Sequence, residues 1–418
     1  MKILAIATSL LTMAASAFAQ QAKPVWELDK NGIDPKATMG KVELKNGTVK
    51  LDGTNAFSLP VDILGKQKDF TIEFDVKPPA DAKSGHNITL VSNTDEKRKT
   101  GIKLRYHPPS YDCAWIYTND YQTVEYRGFL RKKPHKITII SKDSQLMMFR
   151  DGMLLASTGD FKPSSQPLIF GSIENKPTRP YELSNIKVYR QAAFPTGFDK
   201  DADQMVYYGG DQYFMQRVKL KNPKLPRILI IGDSISGGYR GFITKYYKGK
   251  ANVDYWMIGY RSMNGKNSQM ERALKGVLSN GPYNVVTFNF GLHYWTHKGR
   301  MPEDKLIPWM TKIVKLIKKE SPQTTFIWIR TTPWRTTPET GLPSLNNKNN
   351  ETIIKYNKVV DQIMQKNNVP EVDLYTIATK KLGTIRSGSK DAVHWPSPVS
   401  SIFADEIIKE INKRLPNK

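Results

Sequence analysis

The 418-residue chain is 39% hydrophobic and 10% aromatic, enough apolar content to build packed cores, which excludes a disordered protein. Gly (28) and Pro (26) are near average usage and Cys113 is the one cysteine, so collagen-like repeats, an intrachain disulfide framework and cysteine-clustered metal sites are excluded as well. The 63 Lys and Arg against 39 Asp and Glu leave a net charge of +24, which points to anionic partners.

The first segment bears on compartment. Lys2 precedes an apolar stretch from Ile3 to Ala15, and Ala17-Phe18-Ala19 is a small-x-small pattern before Gln20. This reads as a signal peptide over 1–19, hence an exported protein, periplasmic or extracellular. The stretch is shorter than the ~20 apolar residues of a membrane span, and no later run is long enough, so no membrane span is expected. Cys113 lies far from the cleavage point and reads as a small buried thiol.

The remainder changes character near Phe194-Pro195-Thr196-Gly197. Residues 21–200 carry 28 Lys and Arg against 21 Asp and Glu, whereas residues 201–418 carry 34 against 18. The excess positive charge therefore belongs mostly to the second half. Two domains are expected: an all-β unit over 20–195, a linker over 196–225, and an α/β unit over 226–418.

In the first half, β-rich segments recur at short spacing: Lys41-Val42-Glu43-Leu44, Phe70 to Val76, Lys136 to Ile140 and Leu146 to Phe149. Turn pairs such as Asn46-Gly47, Asp52-Gly53 and Asp151-Gly152 punctuate them, as expected of a two-sheet sandwich. The pieces Val49 to Gly53, Phe70 to Phe74, Phe149 to Gly152 and Leu183 to Tyr189 together resemble the concanavalin A-like, laminin-G-type jelly rolls. That resemblance implies a sugar-binding or structural module. No Glu-x-Asp-x-x-Glu run of paired carboxylates is present, and Glu73 with Asp75 reads as a solvated strand face.

In the second half, Arg227 to Ile231, Val285 to Phe290 and Thr325 to Ile329 are nearly continuous apolar runs, the pattern of buried parallel strands. Helical periods follow over Ser268 to Leu278, Lys305 to Lys319, Glu351 to Lys366 and Ser400 to Arg414. Alternation of this kind predicts a parallel sheet with helices on both faces. Ligands of such sheets bind at the carboxyl ends of the strands.

After the first run comes Gly232-Asp233-Ser234-Ile235-Ser236-Gly237-Gly238. A serine leaving a buried strand on a glycine turn at a helix start is well placed as a nucleophile; it is also where an ordinary N-cap would sit. The Gly-Lys-Ser/Thr ending of a phosphate loop and the G-x-S-x-G elbow are both absent. A serine needs a base and the base an orienting group. Asp391-Ala392-Val393-His394, ahead of the last helix, supplies both types at a spacing that lets the carboxylate turn back onto the imidazole.

Gly232-Asp233-Ser234 and Asp391-x-x-His394 resemble the blocks of SGNH (GDSL-type) hydrolases over roughly residues 226–415. The resemblance implies a three-layer α/β fold with a flavodoxin-like sheet. It implies Ser234 as nucleophile, His394 as base and Asp391 as its orienting group. It further implies an oxyanion hole from the N–H groups of Ser234 and Gly265. The family's third block, Gly-x-Asn-Asp, here reads Gly291-Leu292-His293-Tyr294, so His293 takes the place of the Asn donor. With the export signal and the β-rich first half, the implied activity is a carbohydrate esterase removing acetyl groups from an anionic polysaccharide or oligosaccharide, with no metal or cofactor. Arg240, Arg330, Arg335 and Arg261 follow strand ends or motif turns, where they would meet such charges. Tyr239 and Trp295, beside the first and third blocks, are further substrate-binding candidates. A catalytically weak glycan-binding protein and a lipase- or lysophospholipase-type esterase are the alternatives. Nucleic acid fits the charge and not the export signal.

Overall fold

A computed structural model describes residues 22–64, 68–79, 88–95, 100–107, 113–118, 121–127, 130, 133–159, 161–172, 180–199, 203–207, 214–258, 268–295, 301–384 and 391–415. The expected signal peptide, Arg261 and Gly265 lie outside them, as do the side chains of Cys113, His293 and Tyr294.

The first half folds into two antiparallel arrays. One contains Phe70–Lys77, His135–Lys142, Gln145–Arg150, Met153–Thr158 and Tyr181–Tyr189; the other contains Ala56–Ser58, Ile88–Ser92, Lys103–His107, Cys113–Thr118 and Tyr121–Arg127. Period-two patterning explains the packing. Phe70, Ile72, Phe74 and Val76 alternate along one strand, and all four are fully buried. They meet the facing array, which also holds Ile169–Gly171, as in the edge-to-face pair of Phe74 with Phe170 at 5.9 Å. Turn chemistry sets the register. Asn46-Gly47 and Asp151-Gly152 all adopt positive φ and close two-residue hairpins, the geometry that matches strand twist.

The second half holds a parallel sheet of β1 (Arg227–Gly232), β2 (Asn252–Met257), β3 (Val285–Asn289), β4 (Thr325–Ile329) and β5 (Glu371–Val372). Its order is 2-1-3-4-5, the flavodoxin-like doubly wound order whose switch point lies between β1 and β3. The helices are α1 (Ser234–Tyr246), α2 (Ser268–Leu278), α3 (Leu292–Trp295), α4 (Glu303–Glu320), α5 (Asn347–Lys366), α6 (Leu374–Thr379) and α7 (Ser397–Asn412). Right-handed crossovers send α1 to one face, and α2, α4 and α5 to the other. The packing agrees: α1 lies on α7, while α4 lies between α2 and α5.

The expected linker is corrected by the structure. Within 196–225, Gln204–Tyr207 and Phe214–Arg217 form an antiparallel pair. The second of these strands pairs with β2, and the first meets Met153–Thr158 at Ala156 and Tyr207. One sheet thus runs from β5 through this pair into the first half. Ile140, Met147, Phe149 and Leu154 of the first half belong to the same apolar cluster as β1 to β4. The segment reads as polar because its strands are four residues long, with the buried Val206 and Met215 supplying the apolar content.

Candidate active site

β1 is buried along its whole length and ends at Gly232. A Cβ on Gly232 would fall 2.6 Å from both Cβ and Oγ of Ser236, so only glycine lets the chain turn this tightly into α1. Asp233 caps the helix by accepting from the N–H of Ile235 at 2.9 Å. The Ser236 hydroxyl donates to the Asp233 carbonyl at 2.6 Å. Ser234 is left as the first helical residue, half-buried, with the positive end of the α1 dipole behind it.

The segment before α7 brings two further side chains to this point. Asp391 Oδ1 accepts from the N–H groups of Val393 and His394, each at 2.9 Å. Its Oδ2 faces His394 Nδ1 at 2.7 Å. His394 Nε2 lies 2.7 Å from Ser234 Oγ. Donation from Nδ1 to the carboxylate leaves Nε2 as the acceptor, which is the tautomer able to take a serine proton. Burial pushes the Asp391 carboxyl up, and the two backbone N–H groups with the imidazole outweigh it, holding the group below its ordinary value. Asp391 is therefore a carboxylate at neutral pH. The His394 and Asp391 side chains are 48% and 46% exposed, so the site opens to solvent.

The β1–β3 pairing sets the third block beside this serine: Ile231 is in register with Phe288, and the chain leaves β3 through Gly291 into α3. A Cβ on Gly291 would overlap Thr331 Oγ1 at 2.0 Å, so glycine is required here too. The backbone of His293 falls in α3, next to the strand end that carries Ser234.

The substrate-binding expectations for Tyr239, Trp295, Arg330 and Arg335 are corrected. Tyr239 and Trp295 are fully buried. Burial, with Asp233 and Tyr255 nearby, pushes the Tyr239 hydroxyl well above its ordinary range, and Trp295 packs against Phe290 and Tyr356. Arg330 is occupied within the fold: Asp373 accepts at 2.6 Å, Asp361 at 2.7 Å and Glu371 at 2.6 Å. Arg240 donates to Gln216 at 2.9 Å and lies over the Tyr255 ring at 4.2 Å. Arg335 is buried, at 2% exposure. An arginine after a strand end reads alike whether it meets solvent or an internal carboxylate, which is why sequence pattern did not separate these cases.

Sequence reasoning also missed Asn350 and Asn357 on α5. Asn357 bridges the backbone N–H and carbonyl of Thr331, at 3.1 Å each. Asn350 accepts from the N–H of Trp334 at 3.1 Å and donates to its carbonyl at 2.6 Å. Their seven-residue spacing on one helix face was the available signal. A cavity of about 890 Å³ lies at the opposite, amino-terminal end of the strands, lined by Arg227, Tyr246, Asn252 and Pro282 among others; it holds none of the site side chains. Among the described residues no His, Cys, Asp and Glu group is arranged to hold a metal ion, and no helix is long and apolar enough to cross a membrane.

No protein-family profile and no curated relative matches the chain. Among solved structures it is similar to the acetyl xylan esterase AlAXEase, at 18% identity over 44% of this chain and 99% of that one, with a TM-score of 0.37. It is also similar to Axe2, an acetylxylan esterase from Geobacillus stearothermophilus, at 17% identity over 44% of this chain and 94% of that one, with a TM-score of 0.35.

Proposed function

We propose that the chain is an exported serine esterase of the SGNH type, acting as a carbohydrate O-deacetylase on an anionic polysaccharide. The observation that carries the esterase reading is the unbroken relay from Asp391 Oδ2 through His394 to Ser234 Oγ, both contacts at 2.7 Å.

His394 Nε2 takes the hydroxyl proton as Ser234 Oγ attacks the ester carbonyl. Asp391 stabilises the imidazolium that forms. The tetrahedral intermediate collapses, and the alcohol leaves with the proton from His394. Water, deprotonated by the same imidazole, then attacks the acyl-serine, and His394 returns that proton to Ser234 Oγ as the acid leaves. In this proposal the oxyanion is received by the N–H of Ser234 at the head of α1, with Gly265 and His293, the donors that the family resemblance implies, completing the hole.

The glycan part of the proposal rests on the export segment, the net charge of +24 and the β-rich first half, read as a jelly-roll domain ahead of the hydrolase domain. An open site suits an ester borne on a polymer. The test is acetate release from acetylated xylan, pectin and uronate-rich glycans, together with a small soluble acetyl ester, by the parent and by Ser234→Ala. Loss of the nucleophile is expected to cost about four or more orders of magnitude in kcat. Activity of Ser234→Ala within tenfold of the parent overturns the esterase assignment, and acetate release confined to the small ester overturns the glycan assignment.

A further inference from the structure

Arg335 follows β4 by six residues and is buried at 2% exposure. Its Nη2 donates to the carbonyl of Asp391 at 2.9 Å and to the carbonyl of His394. Its backbone N–H donates to the carbonyl of Ala392 at 2.9 Å. Its guanidinium lies over the Trp395 ring, 4.7 Å from the centroid. One residue thus engages four of the five positions from Asp391 to Trp395, a stretch with no regular secondary structure.

A buried guanidinium is an expensive way to fill space. Desolvation pulls Arg335 below its ordinary pKa even with the Asp391 carboxylate near it, and its Nε is buried without a partner. Methionine would pack in similar volume without that cost. The Arg335 Nη2 places two donors in the fixed plane of the guanidinium, one for each of the Asp391 and His394 carbonyls. Arg335 is itself held from behind, since Asn350 and Asn357 of α5 bind Trp334 and Thr331 of the same segment.

We propose that Arg335 is a positioning residue for the catalytic pair. By gripping the carbonyls of Asp391, Ala392 and His394 it fixes the backbone that aims the carboxylate at Nδ1 and Nε2 at Ser234. The inference rests on reading Ser234, His394 and Asp391 as the catalytic relay; Arg335 itself acts through the loop and touches no reacting atom.

The test uses the full chain carrying Arg335→Lys. Lysine keeps the cation and the backbone bond to Ala392, but its ammonium, on a shorter stem and outside the guanidinium plane, does not reach both carbonyls from the Nη2 position. Three quantities are read: kcat and KM on a small acetyl ester, the thermal midpoint, and the low-field proton NMR resonance of the imidazole Nδ1–H bonded to carboxylate, assigned by its loss in His394→Gln. The variant is expected to fold, to lose or broaden that resonance, and to lose about 10²-fold in kcat, the scale of a misplacement near 1 Å, with KM little changed. A folded Arg335→Lys with the parent resonance and kcat within twofold overturns the inference. Should it not fold, Asn350→Ser, which loosens the segment behind Arg335 and leaves the guanidinium in place, is read in the same way: an unmoved resonance and kcat overturn the inference. A parent inactive on every ester whose resonance still responds to Arg335→Lys keeps the positioning role and removes the esterase reading. An active parent with an unresponsive resonance does the reverse.

Discussion

Asn357 and Thr331 exchange two hydrogen bonds: the Thr331 N–H donates to Oδ1 and Nδ2 donates to the Thr331 carbonyl, both at 3.1 Å. Both residues are buried, so truncating the amide strands a donor and an acceptor with no water to replace it. Asn357→Ala is expected to lose about 2–4 kcal/mol of stability, one to two unsatisfied buried groups' worth. Denaturant unfolding checks this, and a loss under 0.5 kcal/mol contradicts the clamp. Asn357→Asp keeps the acceptor but turns a carboxylate oxygen onto the Thr331 carbonyl in a buried site, so at neutral pH it is expected to lose at least as much as Asn357→Ala.

The Arg330 cluster gives a pH signature. Burial, then a hydrogen bond and repulsion from Asp361, raise the Glu371 carboxyl from 4.5 to about 7, against the pull of Arg330. Between those values the folded chain binds a proton that the unfolded chain has released. The stability contribution of this group therefore declines as pH rises from about 4.5 to 7. Glu371→Gln, neutral throughout, is expected to flatten the parent's stability slope across that window and to be the more stable of the two above it. Urea midpoints at pH 5, 6, 7 and 8 measure the slope, and parallel curves for the two proteins contradict the assignment.

Much of this arrangement was legible in the sequence, and the gaps have physical causes. The apolar runs of β1, β3 and β4 are strands because they are buried on both faces, and α2 spans the range its 3.6-residue period predicted. β2 was missed because Asp254 interrupts it. That carboxylate is fully buried, bound by Arg227 at 2.6 Å and by the Tyr283 hydroxyl at 2.8 Å, partners 27 and 29 residues away. A charge in a strand reads as exposure until its long-range partner is known. The strands within 196–225 were hidden for a related reason, since each is too short to show alternation. Asp391 and His394 were visible as a pair because their spacing is local. Arg335 was visible only as a surface candidate, because what it binds is backbone carbonyls, which leave no trace in sequence.

The continuity of the sheet makes a prediction about dissection. A fragment of residues 199–418 gives up Ile140, Met147, Phe149 and Leu154 from the shared cluster and frees the outer edge of Gln204–Tyr207. An open strand edge beside uncovered apolar surface favours self-association. The fragment is expected to be oligomeric or aggregated in light scattering, with small-ester activity falling along with its soluble fraction. A monomeric fragment as stable as the full chain shows instead that the two halves share little stabilising energy.

The last prediction concerns the altered third block. α3 begins three residues after the end of β3, whose neighbour in the sheet is β1, the strand that leads to Ser234. The proposed role of His293 is to donate an imidazole N–H to the oxyanion, while His394 serves as base. Donation needs a neutral ring with one N–H turned inward and no change of protonation during turnover. His293→Asn supplies an amide N–H in its place and is expected to keep substantial activity. His293→Ala removes the donor and is expected to lose about 10²–10³ in kcat. His394→Asn is expected to be nearly inactive, because an amide cannot take the serine proton. The order of kcat among the three variants, measured on one small ester, separates donor from base. If His293→Ala equals the parent, the donor role is wrong and the hole rests on the N–H groups of Ser234 and Gly265.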